Sequence, residues 1–272
     1  MTAATFVLVD GQPATSISVL DRGLIYGDGV FRTIRLQAGQ ALWWPEQIAK
    51  LAADAARLGI ACPPAEVWQQ DVAQAAKQWP TAALKLVLTR GSGDRGYAPP
   101  QAAVPSRLVV AGPLPAWPAA LWETGIEARL CELRLARQPR LAGIKHLNRL
   151  ENVLARAEWD DPALQEGLLL DQAGQMICGV SSNVFIYRDN ELLTPRLDQC
   201  GIAGVARARL MARAAAYGLP VREAEFDLTA LLAADEVLLT NSLIGVWRVA
   251  KLGRHVWPQP VIYPVVREFL HA

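Results

Sequence analysis

The 272-residue chain holds few of the residues that build metal centres: four cysteines (Cys62, Cys131, Cys178 and Cys200) and three histidines. No two cysteines form a CxxC pair, and none stands at Cys/His ligand spacing, so a zinc site is not expected and metal chemistry finds no ligand set. An excess of either charge is also missing. Lys and Arg number 27 against 26 Asp and Glu, a net charge of +1, which excludes a general nucleic-acid or membrane-surface binder while leaving room for a local basic pocket. No apolar run approaches the roughly 18 residues of a membrane span. The opening MTAATFVLVDGQPATSISV has no basic stretch leading into an apolar one, so it does not read as a signal peptide. There are no internal repeats and no low-complexity tracts. These absences describe a soluble, cytoplasmic protein with reduced thiols.

Hydrophobic residues make up 52% of the chain, ample for a sizeable core, and the length suits two domains. TFVLVDGQPATSISVL predicts two short strands around an Asp10-Gly11 turn, and GVFRTIRLQAGQALWW repeats that pattern around 38–40. Residues 45–59 carry helical spacing at Ile48, Leu51, Ala55 and Leu58, with Pro45 at the start and Gly59 at the end. A second helix follows over 64–78, and ALKLVLTR and SRLVVAG read as buried strands. PLPAWPAA, residues 113–120, carries three prolines and reads as a linker between a smaller N-terminal α/β domain (1–112) and a larger C-terminal one (121–272). Beyond it, strands at GIEARLCEL, EGLLLD and SSNVFIYRD alternate with helices over 147–159 and GVARARLMARAAAYG. A strand–turn–strand, EVLLTNSLIGVWRV, and a terminal helix, YPVVREFLH, complete an α/β or α+β fold.

Lys145 stands just before the helix predicted over 147–159, whose face carries Leu147, Leu150, Leu154 and Ala157, with Asn148 as its cap candidate. A cation there opposes the helix dipole. Most lysines are solvated charges, and one with a lowered pKa can instead serve as a Schiff-base amine. Periodicity leaves both readings open.

Four segments decide between them: DRGLIYGDGVFRTIRL (21–36), RGSGDRGYAPP (90–100), RLARQPRLAGIKHLNRLENVLARAEW (134–159) and ADEVLLTNSLIGVWRV (234–249). Together they resemble the 4-amino-4-deoxychorismate lyases, a family of the fold type IV pyridoxal-phosphate (PLP) enzymes, which also include the branched-chain and D-amino-acid aminotransferases. YGDGVF is similar to the whole fold group, whereas RGSGDRGY and LAGIKHLNRLENVL are specific to the lyases. The resemblance implies the two-domain, D-amino-acid aminotransferase-like fold with PLP in the cleft between the domains, and a homodimer. It implies conversion of aminodeoxychorismate to 4-aminobenzoate and pyruvate for folate synthesis, with amino-acid transamination as the alternative and a degenerate, non-catalytic PLP binder as the third reading.

Under that resemblance Lys145 is the lysine that binds PLP covalently and then shuttles the proton. CGIAGVARARL puts Gly201 and Gly204 ahead of a helix start, a geometry that offers backbone N–H groups to an anion, and Val205 and Ala206 are the implied phosphate donors. Asn241 and Ser242 match a second phosphate element. Thr33, Arg90, Arg95 and Tyr97 are the substrate-side candidates, the two arginines for the substrate's carboxylates. Two positions depart from the family pattern. Lys50, in QIAKL, stands where an arginine usually binds the phosphate, keeping the charge but losing the bidentate fork. Cys178, in CGVSSN, stands where a glutamate usually pairs with the pyridine nitrogen; a thiol supplies no fixed charge, and as a small buried filler it is equally at home.

Overall fold

A computed structural model gives the fold, and it describes residues 5–271. The chain divides into two compact units: residues up to Ala116 together with Lys145–Asn148, and Trp117–Ile144 together with the chain from Arg149 onward.

The first unit runs β1 (Phe6–Val9), β2 (Gln12–Pro13), α1 (Arg22–Tyr26), β3 (Gly29–Gln37), β4 (Gln40–Ala41), α2 (Trp44–Arg57), α3 (Ala65–Gln78), β5 (Ala82–Thr89) and β6 (Arg107–Gly112). Its sheet is antiparallel, in the order β2-β1-β6-β5-β3-β4. Strand alternation puts Val30, Ile34 and Leu36 of β3 and Leu84, Leu86 and Leu88 of β5 in the core. Each such side chain contributes about 1.5–3 kcal/mol by leaving water. Ile48, Leu51 and Ala55 of α2 close over β3. That helix carries Pro45 in its first turn and is followed by Gly59 at φ 64°, a conformation glycine takes without strain.

The second unit contains α4 (Leu121–Thr124), β7 (Ile126–Leu135), α5 (Leu150–Arg156), β8 (Leu164–Asp171), β9 (Met176–Gly179), β10 (Asn183–Arg188), β11 (Glu191–Pro195), α6 (Val205–Ala216), β12 (Val221–Ala224), α7 (Leu228–Leu232), β13 (Glu236–Asn241), β14 (Gly245–Leu252), β15 (His255–Val256) and α8 (Tyr263–His271). Strands β10-β13-β14-β7-β8-β9 form a ring, because β9 pairs back onto β10 at Cys178↔Asn183. The ring is a barrel, and β11 and β12 extend it from β10. One apolar cluster includes Ile126, Leu168, Val184, Val237, Leu239 and Val249. Another gathers Cys131, Leu135, Trp159, Leu169, Cys178 and Cys200.

The helix predicted over 147–159 is a single short element, Leu150–Arg156. Leu147 lies in a bend after an isolated bridge of His146 to Val30 instead, and Asn148 does not cap the helix: its side-chain amide donates to the Gly27 carbonyl at 3.1 Å, and Arg149 is the N-cap. The face expected to pack is open, with Leu150 at 75% exposure and Val153 and Leu154 likewise exposed; the buried residue of α5 is Ala155. No helix among the described residues is long and apolar enough to cross a membrane.

Candidate functional site

The site grows from the stretch Gly143–Leu147. Gly143 lies beside the glycine loop that precedes α6: its N–H donates to the Gly201 carbonyl at 2.9 Å, and its carbonyl accepts from Ala203 N–H at 3.2 Å. Lys145 follows two residues on in the chain, where the first unit resumes. From there the backbone runs antiparallel to the start of β3. Phe31 N–H donates to the Lys145 carbonyl at 2.9 Å, and Leu147 N–H to the Gly29 carbonyl at 3.0 Å. The half-buried Lys145 side chain lies with its Nζ 4.6 Å from the Phe31 ring centroid, and Lys85 Nζ lies 4.9 Å from the same ring. Thr33 shares that strand face by alternation and stands opposite Lys85.

The loop before α6 is shaped for an anion. Gly204 is the N-cap, so the N–H groups of Val205 and Ala206 have no acceptor within the helix and point out of its end. Asn183 grips the loop with both ends of its carboxamide, donating to the Ile202 carbonyl at 2.8 Å and accepting from Gly204 N–H at 3.1 Å. Glycine is required twice here. A Cβ on Gly201, at φ 82°, would come within 2.7 Å of an Ile177 methyl, and one on Gly204 within 2.4 Å of Asn183 Oδ1. Asn241 is taken up by its own turn, accepting from the N–H groups of Leu243 and Ile244 and donating to the Ser181 carbonyl at 3.2 Å. Ser242 follows it, half-buried.

Cys178 belongs to the apolar cluster with Leu169 and Trp159, and burial pushes its thiol well above the ordinary value. Its register partners Leu169 and Asn183 place it on the sheet face that leads to the loop. Glu166 is a second buried acid nearby, at 3% exposure, but alternation puts it on the opposite face. There its carboxylate accepts from Gly167 N–H, Ser181 N–H and the hydroxyls of Ser181 (2.6 Å) and Ser182 (2.9 Å). Burial outweighs those bonds and raises its pKa. Glu166 shapes the Gly179–Ser182 turn; it does not replace a carboxylate at Cys178.

Lys50 forms an ion pair with Asp54 one helical turn on in α2. Burial lowers the Lys50 pKa, with Asp54 opposing. Arg90, expected to meet a substrate carboxylate, is committed to the fold. Four of its five N–H donors go to Asp28 (2.7 and 3.0 Å) and to the carbonyls of Leu58 and Gly59. Burial alone would raise the Asp28 pKa, but Arg90 and Arg22 together hold it below the ordinary carboxylate value. Arg95 is exposed, as is Tyr97 at 85%, and the Tyr97 ring sits 5.4 Å from that of Tyr26. The loop's organiser is the buried Arg22, which sequence reasoning passed over: its guanidinium donates to the carbonyls of Gly96 and Tyr97, each at 3.0 Å, and to Asp28. Its place inside the motif at 21–36 was the available signal.

The model of the family described as amino-transferase class IV matches residues 29–252. An aminodeoxychorismate lyase of Vibrio harveyi is 36% identical over 90% of each chain. A putative branched-chain-amino-acid aminotransferase of Methanocaldococcus jannaschii is 33% identical, covering 91% of this chain and 86% of its own. The crystal structure of 4-amino-4-deoxychorismate lyase from Pseudomonas aeruginosa superposes with a TM-score of 0.93 at 44% identity, covering 96% of this chain and 97% of its own.

Proposed function

The chain belongs to the class IV amino-transferase family, and on that premise we propose that it is a PLP-dependent lyase converting 4-amino-4-deoxychorismate to 4-aminobenzoate and pyruvate. The observation that carries the reading is the run Gly143–Lys145: an amine two residues from a backbone paired with an anion-binding glycine loop. The glycine cradles, the outward N–H groups and the Asn183 clamp fit a phosphate, and Lys145 fits an amine-reactive aldehyde. In this reading Val205, Ala206 and Ser242 hold the phosphate and Lys50 adds charge, while Asn241 shapes the turn that presents Ser242. Thr33, Arg90, Arg95 and Tyr97 are the substrate-side candidates, with Arg90 also bonded to Asp28.

When bound, PLP supplies an electron sink that acidifies the C–H bond beside the substrate's nitrogen. Lys145 binds the cofactor and is the group that takes and returns that proton at Nζ. Loss of the ring proton is coupled to breaking the C–O bond to the enolpyruvyl group. The ring becomes aromatic, and the released enolpyruvate takes up a proton to become pyruvate. Aromatisation drives this elimination, so a weak electron sink at Cys178 suffices. The same proposal makes the protein a cytoplasmic homodimer in folate synthesis. Its exposed apolar side chains (Val19, Leu20 and Leu24, and separately Leu150 and Leu154) support self-association. The deciding experiment is incubation of the PLP-loaded protein with aminodeoxychorismate. Stoichiometric 4-aminobenzoate and pyruvate support the lyase; an amino acid made from a keto-acid acceptor, with no pyruvate released, supports the aminotransferase.

Cys178→Glu tests the electron-sink argument. A carboxylate there favours a protonated pyridine by opposite-charge pairing. It is expected to raise side transamination more than pyruvate release, both measured with the same amine donor. Equal changes in the two activities would remove the argument.

A further inference from the structure

Within the first unit, a buried charged cluster lies where the Lys145 backbone is held. On β3, Arg32 interrupts the core stripe of Val30, Ile34 and Leu36 and is 2% exposed. Its Nε donates to Gln47 Oε1 at 3.2 Å, while its NH1 is buried with no hydrogen-bond partner and lies 3.8 Å from Asp54 Oδ2. Burial pulls the Arg32 pKa down to about 10 against the opposing charge of Asp54. Asp54 is 1% exposed; Oδ1 accepts from Lys50 Nζ, and Oδ2 accepts from the Lys145 backbone N–H at 3.2 Å. One carboxylate thus faces two cations and also holds the peptide of the candidate reactive lysine.

Two simpler accounts are open. As a plain core ion pair, Arg32–Asp54 would be a poor way to gain stability, since a buried pair is often matched by apolar side chains of similar volume. As a partner for Lys50 alone, Asp54 would have no need of its second oxygen. That oxygen is spent on Lys145 N–H, while Phe31 N–H holds the Lys145 carbonyl from the other side. The peptide is thereby fixed at both of its polar groups, which leaves the side chain only its own rotamers with which to place Nζ.

We propose that Asp54 is a positioning residue for Lys145: its carboxylate, held between Arg32 and Lys50, anchors the Lys145 backbone N–H and so sets where the amine is presented. The inference rests on the reading of Lys145 as the cofactor lysine. It adds that the charge of Lys50 is shared between Asp54 and whatever anion it meets, which explains how a lysine can stand there without carrying an unpaired buried charge.

The test uses Arg32→Met/Asp54→Leu, which removes the fully buried pair together, leaves Lys50 with its 24% exposed side chain to water and its anion, and removes the acceptor of Lys145 N–H. Apoprotein is titrated with PLP, and the pH at which the absorbance of bound PLP changes is recorded for the wild type and the double variant. A folded double variant is expected to bind PLP about ten- to a hundredfold more weakly, the range covered by one hydrogen bond to a charged group, and to show a displaced absorbance pH. Wild-type affinity with an unmoved absorbance pH would overturn the proposal and leave Asp54 a core residue. If the double variant does not fold, hydrogen exchange of the Lys145 amide in the wild-type holoenzyme decides: strong protection supports the anchor, and exchange at the rate of an open peptide overturns it. Borohydride reduction of loaded wild type, followed by peptide mapping, separates the two layers. Label on a lysine other than Lys145 sinks the underlying reading, whereas label on Lys145 with an unchanged double variant sinks only the role of Asp54.

Discussion

Lys145→Ala is expected to abolish the Schiff-base absorbance of bound PLP and to lower lyase turnover by about 10⁴-fold or more, since in the proposed mechanism one group supplies both the covalent attachment and the proton transfer. The fold is expected to survive. The hydrogen bonds at this position use the backbone, N–H to Asp54 and carbonyl to Phe31 N–H, and alanine keeps both. What is lost is one half-buried side chain over the Phe31 ring, a contact worth about 0.5–2 kcal/mol. Circular dichroism and the urea midpoint of the apoprotein check the fold; turnover with and without added small amines checks the chemistry. Partial rescue by an amine fits a missing base, and full turnover without one would show that Lys145 does neither job.

Glu166→Ala is expected to cost the second unit about 3 kcal/mol, because it strips the buried donors of Gly167, Ser181 and Ser182 of their acceptor and leaves a cavity. The loss should reach the cofactor, since the next residue after that turn is Asn183, which clamps the loop before α6. A lower urea midpoint together with weaker PLP binding is the expected pair of results. The pH dependence has a definite sign. The folded-state pKa of Glu166 is raised above the ordinary 4.5, so its contribution is fully present below about 4.5 and is lost as pH rises through the folded value. Glu166→Gln removes that titration, so wild-type stability should fall relative to the variant as pH rises from 4.5. Parallel pH profiles would mean that the carboxyl titrates alike in the folded and unfolded chain.

The strands were legible where alternation was clean: β3, β5 and β7 fall where GVFRTIRLQ, ALKLVLT and GIEARLCEL put them. Helix α6 was legible from its glycine entrance and Gly218 exit. The stretch after Lys145 was not. Leu147, Leu150 and Leu154 recur at helical spacing, but periodicity cannot tell a covered face from an open one, and the pairing of 145–147 with β3 joins residues more than a hundred positions apart. The ring as a whole was invisible for the same reason: its closing pair β9–β10 is local, but the ring also needs β14 to join β7 at Val249↔Ile126, far apart in the chain. At the site, the lysine and the glycine loop are motifs that can be read in the sequence, whereas the bonds of Arg90 to Asp28, Leu58 and Gly59 could not be foreseen, because these partners lie 31 to 62 positions away. The charge at Arg32 within an apolar stripe was a visible sign of a buried partner; naming Asp54 as that partner required the packing of α2 on β3.

The assignment of Lys145–Asn148 to the first unit makes the chain cross between the units three times: at 116/117, 144/145 and 148/149. A cut in the proline-rich segment therefore does not yield two self-sufficient fragments. The N-terminal fragment would carry Asp54, Phe31 and Gly29 without the strand they hold, and the C-terminal fragment would carry Lys145 without its fixings. For fragment complementation this sets the terms: the proposed cofactor lysine gains its fixings only when both pieces are present, so cofactor colour would report reassembly of the split chain rather than folding of either half.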